Sequence, residues 1–178
     1  FDAGIVAGAI GFLLVVLFMI LWYRLPGFIA SIALVIYVIM TIAIMKFIPI
    51  TLTASGIAAF ILSIGMAVDA NVLIAERMKE ELRAGKNPND AAHAGFSRAW
   101  SAIRDGHFTM ILSSIILFWM GTSLVQGFAL VFGLGVITSL ISAVAITRSL
   151  TFAILPKEYS GPWKFLLEVG FGHNKKNV

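Results

Sequence analysis

Within the run from Gly65 to Leu82, GMAVDANVLIAERMKEEL, a carboxylate stands among apolar residues about two turns before the charged residues begin. Asp69 is some 18 residues into an apolar stretch and eight before Arg77. At roughly 1.5 Å per residue that is about 12 Å inside the edge of the stretch. An ionised acid in such surroundings costs several kcal/mol unless it is paired, hydrated or protonated. Proteins keep such groups mainly on ion or proton paths. The alternative is a structural carboxylate paired with a buried cation. The chain offers little for that role, since Lys46 falls at the far edge of the apolar segments and Arg148 near the near edge. A fixed cationic partner for Asp69 is therefore expected from another chain or another segment.

Other chemistries find little support. An intramembrane aspartyl protease needs two facing carboxylates. The remaining acids are Asp2, Asp90, Asp105, Glu76, Glu80, Glu81, Glu158 and Glu168, all in or beyond the polar parts. Asp105 reaches the start of an apolar stretch but not the depth of Asp69. His93, His107 and His173 are scattered without metal-ligand spacing. No glycine-rich nucleotide loop is present, and no cysteine, so thiol catalysis and Cys-based zinc sites are excluded. The residues point to no enzyme, no metal and no cofactor.

The elements that must hold Asp69 follow from composition. Of 178 residues, 60% are hydrophobic and 12% charged, and the mean hydropathy is +0.97. Soluble domains run at roughly 45–50% and about 25%. Apolar runs near the roughly 18-residue spanning length recur along the chain. The reading is an all-α, polytopic membrane helix bundle with five spans. Span A covers about 4–23, closed by the interfacial Trp22, Tyr23 and Arg24. Arg24-Leu25-Pro26-Gly27 reads as a tight turn. Span B covers about 28–47 and ends at Pro49. Spans C, D and E cover about 51–75, 108–120 and 124–150, with Pro156 as the stop. Residues 1–156 thus form the bundle and 157–178 a tail. The chain enters its first apolar helix directly after Phe1 and Asp2, which suggests a piece of a longer protein.

The polar insert 76–107 reads as two helices. The first continues span C to about Ala84, with Gly85 as the stop. The second has Asn87 as N-cap, Pro88 at the first position and Asp90 in the first turn. It carries Ala92, Phe96, Ala99, Trp100 and Ile103 at helical spacing, as an amphipathic helix on the membrane surface or bundle end, or as a plain connector.

Charge placement orients the bundle. The net charge is +4 and the pI about 9.6, but the basic residues sit at helix ends and in loops, so nucleic acid is not the implied partner. With five spans, Arg24, the six basic residues of the insert and those of the C-terminal side all share one face of the membrane. Only Lys46 falls on the other. That bias puts the insert and the C-terminus in the cytoplasm.

Thr51, Ser55, Ala58, Leu62, Gly65, Asp69 and Glu76 recur at helical spacing on one small or polar face of span C, so Asp69 is expected to face protein and not lipid. Asn71 points roughly the other way, toward another helix. Small and hydroxyl residues also line span E (Gly135, Thr138, Ser139, Ser142, Ala145) and span D (Thr109, Ser113, Gly121).

These residues resemble the SecD family. GMAVDANVLIAERMKEEL is similar to its signature, and AGIVAGAIGFLLVVLFMILWYRLPG, TLTASGIAAFILSIGMAVDANVLI, AGFSRAWSAIRDGHFTMIL and GFALVFGLGVITSLISAVAITR agree in order and spacing, over about Ala3 to Arg148. The resemblance implies the C-terminal transmembrane half of a subunit of the bacterial SecDF protein-export machinery, within the RND superfamily. This chain then lacks the family's first helix and the export-side domain that follows it. It implies pairing with SecF, separate or fused, in a twelve-helix pseudo-symmetric assembly in the bacterial inner membrane. That assembly uses proton or sodium motive force to draw preproteins from the SecYEG channel after SecA has driven them in. It further implies that Asp69 is the cation-coupling residue, with an acid and an arginine supplied by SecF. Asn71, Gly65 and Arg77 carry over by identity, in supporting roles. There are departures. Ser55 stands where a proline is usual, Gln126 where a basic residue is frequent, and Asp105-Gly106-His107 where Asp-Ala-Asn is usual. Asp105 and His107 are secondary candidates, His107 because an imidazole titrates near neutral pH. Two other readings are a fragment of an RND pump for small molecules or lipids, and an uncoupled translocon scaffold.

Overall fold

The computed structural model describes residues 2–48, 50–51 and 53–155. Among them there is no strand. The elements are α1 (Asp2–Phe47), α2 (Ala54–Arg83), α3 (Pro88–Met120), α4 (Ser123–Ile141), a π-helical turn (Ser142–Thr147) and α5 (Arg148–Ile154). Three helical stretches are long and apolar enough to cross a membrane: Ala3–Phe47, Ala54–Arg83 and Ser123–Ile154. Five separate spanning helices are thus not what the described residues present, for two reasons.

First, spans A and B follow one another as two helical arms with no loop between them. α1 is broken at Arg24, whose backbone lies at φ 49, ψ −113, with Pro26 just beyond. A positive φ is uncommon for a residue with a Cβ. Here it folds α1 back on itself. Phe12, Val15 and Val16 pack on Leu34 and Tyr37, and Met19 and Tyr23 on Ala30. Gly27 is required at the crossing, since a Cβ there would run into the backbone of Met19. Second, span D is the apolar end of a longer helix. α3 runs unbroken from the polar insert to Met120, so the expected amphipathic helix and span D are continuous. The polar residues around Arg104 to His107 interrupt the apolar window that a spanning length requires.

The insert forms a helix pair through its caps. α2 begins at Thr53, whose hydroxyl accepts from the Gly56 N–H at 3.2 Å. It ends at Ala84, followed by Gly85 at φ 88. α3 begins at Asn87, whose side-chain oxygen accepts from the Asp90 N–H at 2.9 Å, with Pro88 in the first turn. The turn within the insert, from Ala84 to Asn87, therefore falls where the sequence indicates. Pro49, Pro156 and the tail 157–178 lie outside the described residues.

Small residues bring α3 onto α2. Ala91, Ala92, Gly95, Ala99 and Ile103 are buried, against Met78 and Leu82 at one end and Ala70 and Ile74 at the other. A Cβ on Gly95 would stand 2.7 Å from the Met78 backbone nitrogen. A charged clamp fixes the far end. Glu81, 7% exposed, takes Lys86 at 2.7 Å and Arg98 at 2.6 Å, one on each carboxylate oxygen. The bonds from Lys86 and Arg98 hold its carboxyl below the ordinary value of 4.5. α4 then packs against both α2 and α3, with Val131, Phe132 and Val136 meeting Met45 and Ala59.

Two outcomes follow. Gly95→Ala forces α3 off the α2 backbone and lowers thermal stability in detergent by about 1–3 kcal/mol. Gly11→Ala, where an added methyl meets nothing within 4 Å, leaves it near wild type. For Glu81 the folded carboxyl titrates below the unfolded one, so its contribution is full above 4.5 and is lost as pH falls through the lower, folded value. The stability difference between wild type and Glu81→Gln, followed by thermal unfolding, closes as the medium is acidified below that point.

Candidate functional site

The interior of the helix bundle is lined with hydroxyls that satisfy themselves. The Tyr37 hydroxyl, fully buried, donates to Ser63 at 2.7 Å, and Ser63 donates to the Phe60 carbonyl. Thr41, Thr138 and Thr151 each donate to the carbonyl four residues earlier. Ser142 reaches across to the Ala33 carbonyl at 3.3 Å. Among the described residues no buried side-chain nitrogen or oxygen lacks a partner, as hydrocarbon surroundings demand.

Asp69 stands apart from this pattern. It is exposed on the surface of α2 and makes no hydrogen bond or ion pair among the described residues. The small face expected to be interior is open here. Ala58, Leu62, Gly65 and Asp69 are all exposed, and a Cβ on Gly65 would meet nothing within 4 Å. The buried side of α2 is instead Gly56, Ala59, Ser63, Ala67, Ala70, Asn71 and Ile74. Periodicity reveals that both sides carry small residues, but not which of them this chain covers itself.

Asn71 turns inward. It is 4% exposed, and its side-chain oxygen accepts from the Thr147 hydroxyl at 2.7 Å. Thr147 closes the π-helical turn. Such turns leave the regular hydrogen-bond ladder locally and recur at functional sites. Neither the turn nor Thr147 is visible in the sequence pattern, because a π turn keeps the composition of an apolar helix. The one available signal is the need of a buried amide for a polar partner at its depth.

His107 is also buried, at 4% exposure. Its Nδ1 is 2.8 Å from the Ile103 carbonyl, which only accepts, so Nδ1 carries the proton. In the neutral ring Nε2 then accepts from Ser139, 3.2 Å away. The remaining candidates do not join the group. Asp105 is exposed and pairs with its neighbour Arg104 at 2.9 Å. Arg77 pairs with Glu80 at 3.0 Å, one turn along α2. Both are exposed pairs of the kind worth about 0–1 kcal/mol. Among the described residues no three His, Asp or Glu side chains gather as a metal-ligand set.

The arrangement is a motif split between two surroundings. From Asp69-Ala70-Asn71, the acid points out of the chain, the alanine packs on α3 through Ala99 and Ile103, and the amide holds the π turn. A charge change at Asp69 thus occurs two residues from a hydrogen bond that ties α2 to the α4–α5 segment.

The comparisons agree with this architecture. The family model described as protein export membrane protein SecD/SecF, C-terminal, matches residues 1–157. The protein translocase subunit SecD of Synechocystis is 49% identical over 164 residues, covering 90% of this chain and 35% of that protein. That of Dehalococcoides mccartyi is 51% identical over 154 residues, covering 84% and 34%. The subunit SecDF of Bacillus subtilis is 41% identical over 172 residues, covering 97% and 23%. The crystal structure of SecDF, a translocon-associated membrane protein from Thermus thermophilus, superposes with TM-score 0.83 at 35% identity, covering 86% of this chain and 21% of that one. SecDF in a super-membrane-facing form superposes with TM-score 0.82 at 33% identity, covering 90% and 23%. The chain spans about a third of the length of the SecD relatives named.

A double-mutant cycle measures the inward half of the motif. Asn71→Ala and Thr147→Val each lower thermal stability by about 1–2 kcal/mol. The double variant loses less than the sum, because the two share one bond.

Proposed function

Because this chain belongs to the SecD/SecF C-terminal family of protein-export membrane proteins, we propose that it is an ion-coupled membrane part of a protein translocase subunit. Asp69 is the group that takes up and releases the coupling cation, a proton or a sodium ion. The chain crosses the bacterial inner membrane five times, as the two arms of α1, the apolar part of α2, the end of α3, and α4 with α5. The α2–α3 insert and the C-terminus are cytoplasmic. The open face of Ala58, Gly65 and Asp69 meets a second, SecF-like half, which supplies the cation that this chain withholds. The assembly assists preprotein movement through a SecYEG channel fed by SecA.

One observation carries this reading. A carboxylate within an apolar helix is exposed on the chain's surface with no partner of its own, beside residues small enough to let another helix approach. The SecDF names and structures among the relatives support a second half of the same family. Asn71 and Thr147 give the step its mechanical link. When the charge at Asp69 changes, the packing of α2 against the other half changes with it, and the shift is passed to the π turn through one hydrogen bond. Gly65 keeps the approach open, and Arg77 stays at the surface in its pair with Glu80. Asp105 and His107 are secondary, with His107 held inside the bundle between Ile103 and Ser139.

The test is Asp69→Asn in the full-length protein assembled with its partner half in vesicles. Assembly is retained, and the stimulation of preprotein transport by an ion gradient is lost. A variant that assembles and still responds to the gradient as wild type does contradicts the proposal.

A further inference from the structure

An opening lies between the first half of α3 and the π turn, and Asp69 is not part of it. It has a volume of about 460 Å³. Its buried lining is apolar, with Ile74, Ile103 and Ala143, and its exposed rim carries Arg148, His93, Ser97 and Trp100. No acidic residue lines it. Ile74 is five residues from Asp69, roughly 140° round α2, so the opening and the open acidic face point in different directions.

The rim has the chemistry of a phosphate-bearing amphiphile. Arg148 is exposed and makes no hydrogen bond or ion pair among the described residues. It directly follows the apolar run of α4 and the π turn, which places a guanidinium at the depth where a spanning helix meets headgroups. Guanidinium binds phosphate oxygens in a fork that an ammonium cannot match. The His93 ring packs against Phe152 in a tilted pair, centroids 4.3 Å apart, while its nitrogens make no hydrogen bond among the described residues. Trp100, 40% exposed, has the amphipathic ring that favours the membrane interface. Ser97 adds a hydroxyl on the same side of α3.

We propose that this pocket binds the headgroup phosphate of an anionic phospholipid of the cytoplasmic leaflet, with the start of an acyl chain on its apolar floor. The positive rim without acids excludes a cationic ligand, and the oily floor at the membrane boundary favours a lipid over a soluble anion. Basic pockets between helices on the cytoplasmic side hold anionic headgroups by this combination of charge and depth.

The test uses the full-length protein in detergent, with lipid retention followed by native mass spectrometry. Phosphatidylglycerol is retained in preference to phosphatidylcholine. Arg148→Gln weakens its apparent affinity about fivefold, Arg148→Lys, which keeps the charge without the fork, recovers only part of it, and Arg83→Gln, exposed and away from the pocket, leaves it unchanged. Equal retention of the two lipids by the wild type overturns the proposal without any variant. So does unchanged retention in Arg148→Gln. Displacement of the lipid by equimolar inorganic phosphate gives the pocket to a free anion instead. Retention seen only after deletion of residues 156–178 gives it to that segment.

Discussion

In hydrocarbon a polar group has no water to turn to, so each must find its partner within the protein. The inside of this bundle obeys that constraint closely. Serine and threonine hydroxyls bond back to their own helices, Tyr37 bonds to Ser63, and Asn71 bonds to Thr147. The acid that could titrate is not among them. Asp69 lies on the surface of the chain and makes no hydrogen bond or ion pair among the described residues. The division has a functional logic. On the proposed reading, a closed interior gives a stable frame, and the open acid gives a site whose charge a second body reads.

The frame is built from close backbone approaches as much as from large side chains. Gly27 lets α1 fold onto itself, and Gly95 lets α3 lie against α2. Such contacts are how helices associate where lipid is as apolar as leucine. They also suit sliding, since small residues present no interlocking knobs. The π turn is the irregular point of the frame, and Asn71 is attached to it. The Asp-Ala-Asn motif therefore has one foot on an open surface and one on the least regular part of the interior.

Much of this was legible in the residues. Caps at Asn87 and Gly85 marked the insert because their chemistry is local. Asp69 announced itself by its cost, and Asn71 by pointing away from it. The missed features are those that local pattern does not encode. The turn at Arg24 was legible from Pro26 and Gly27, but not that a single non-helical residue makes it. α3 reads as two helices because its composition changes at His107 while its backbone does not. The small face of α2 reads as interior, but burial is a property of the assembly, and this chain leaves that face uncovered. The π turn is silent in composition. The clamp of Lys86 and Arg98 on Glu81 joins residues 17 positions apart, beyond what spacing along one helix discloses.

The central claim is that Asp69 faces a second half that controls its charge. A lipophilic carbodiimide, which modifies protonated carboxyls in apolar surroundings, measures this directly when the modified residue is identified by peptide mass spectrometry. The account expects rapid modification of Asp69 in the chain separated from its partner half, and slow modification once the halves assemble. Equal rates in the two states would mean that the acid faces lipid throughout, and would contradict it.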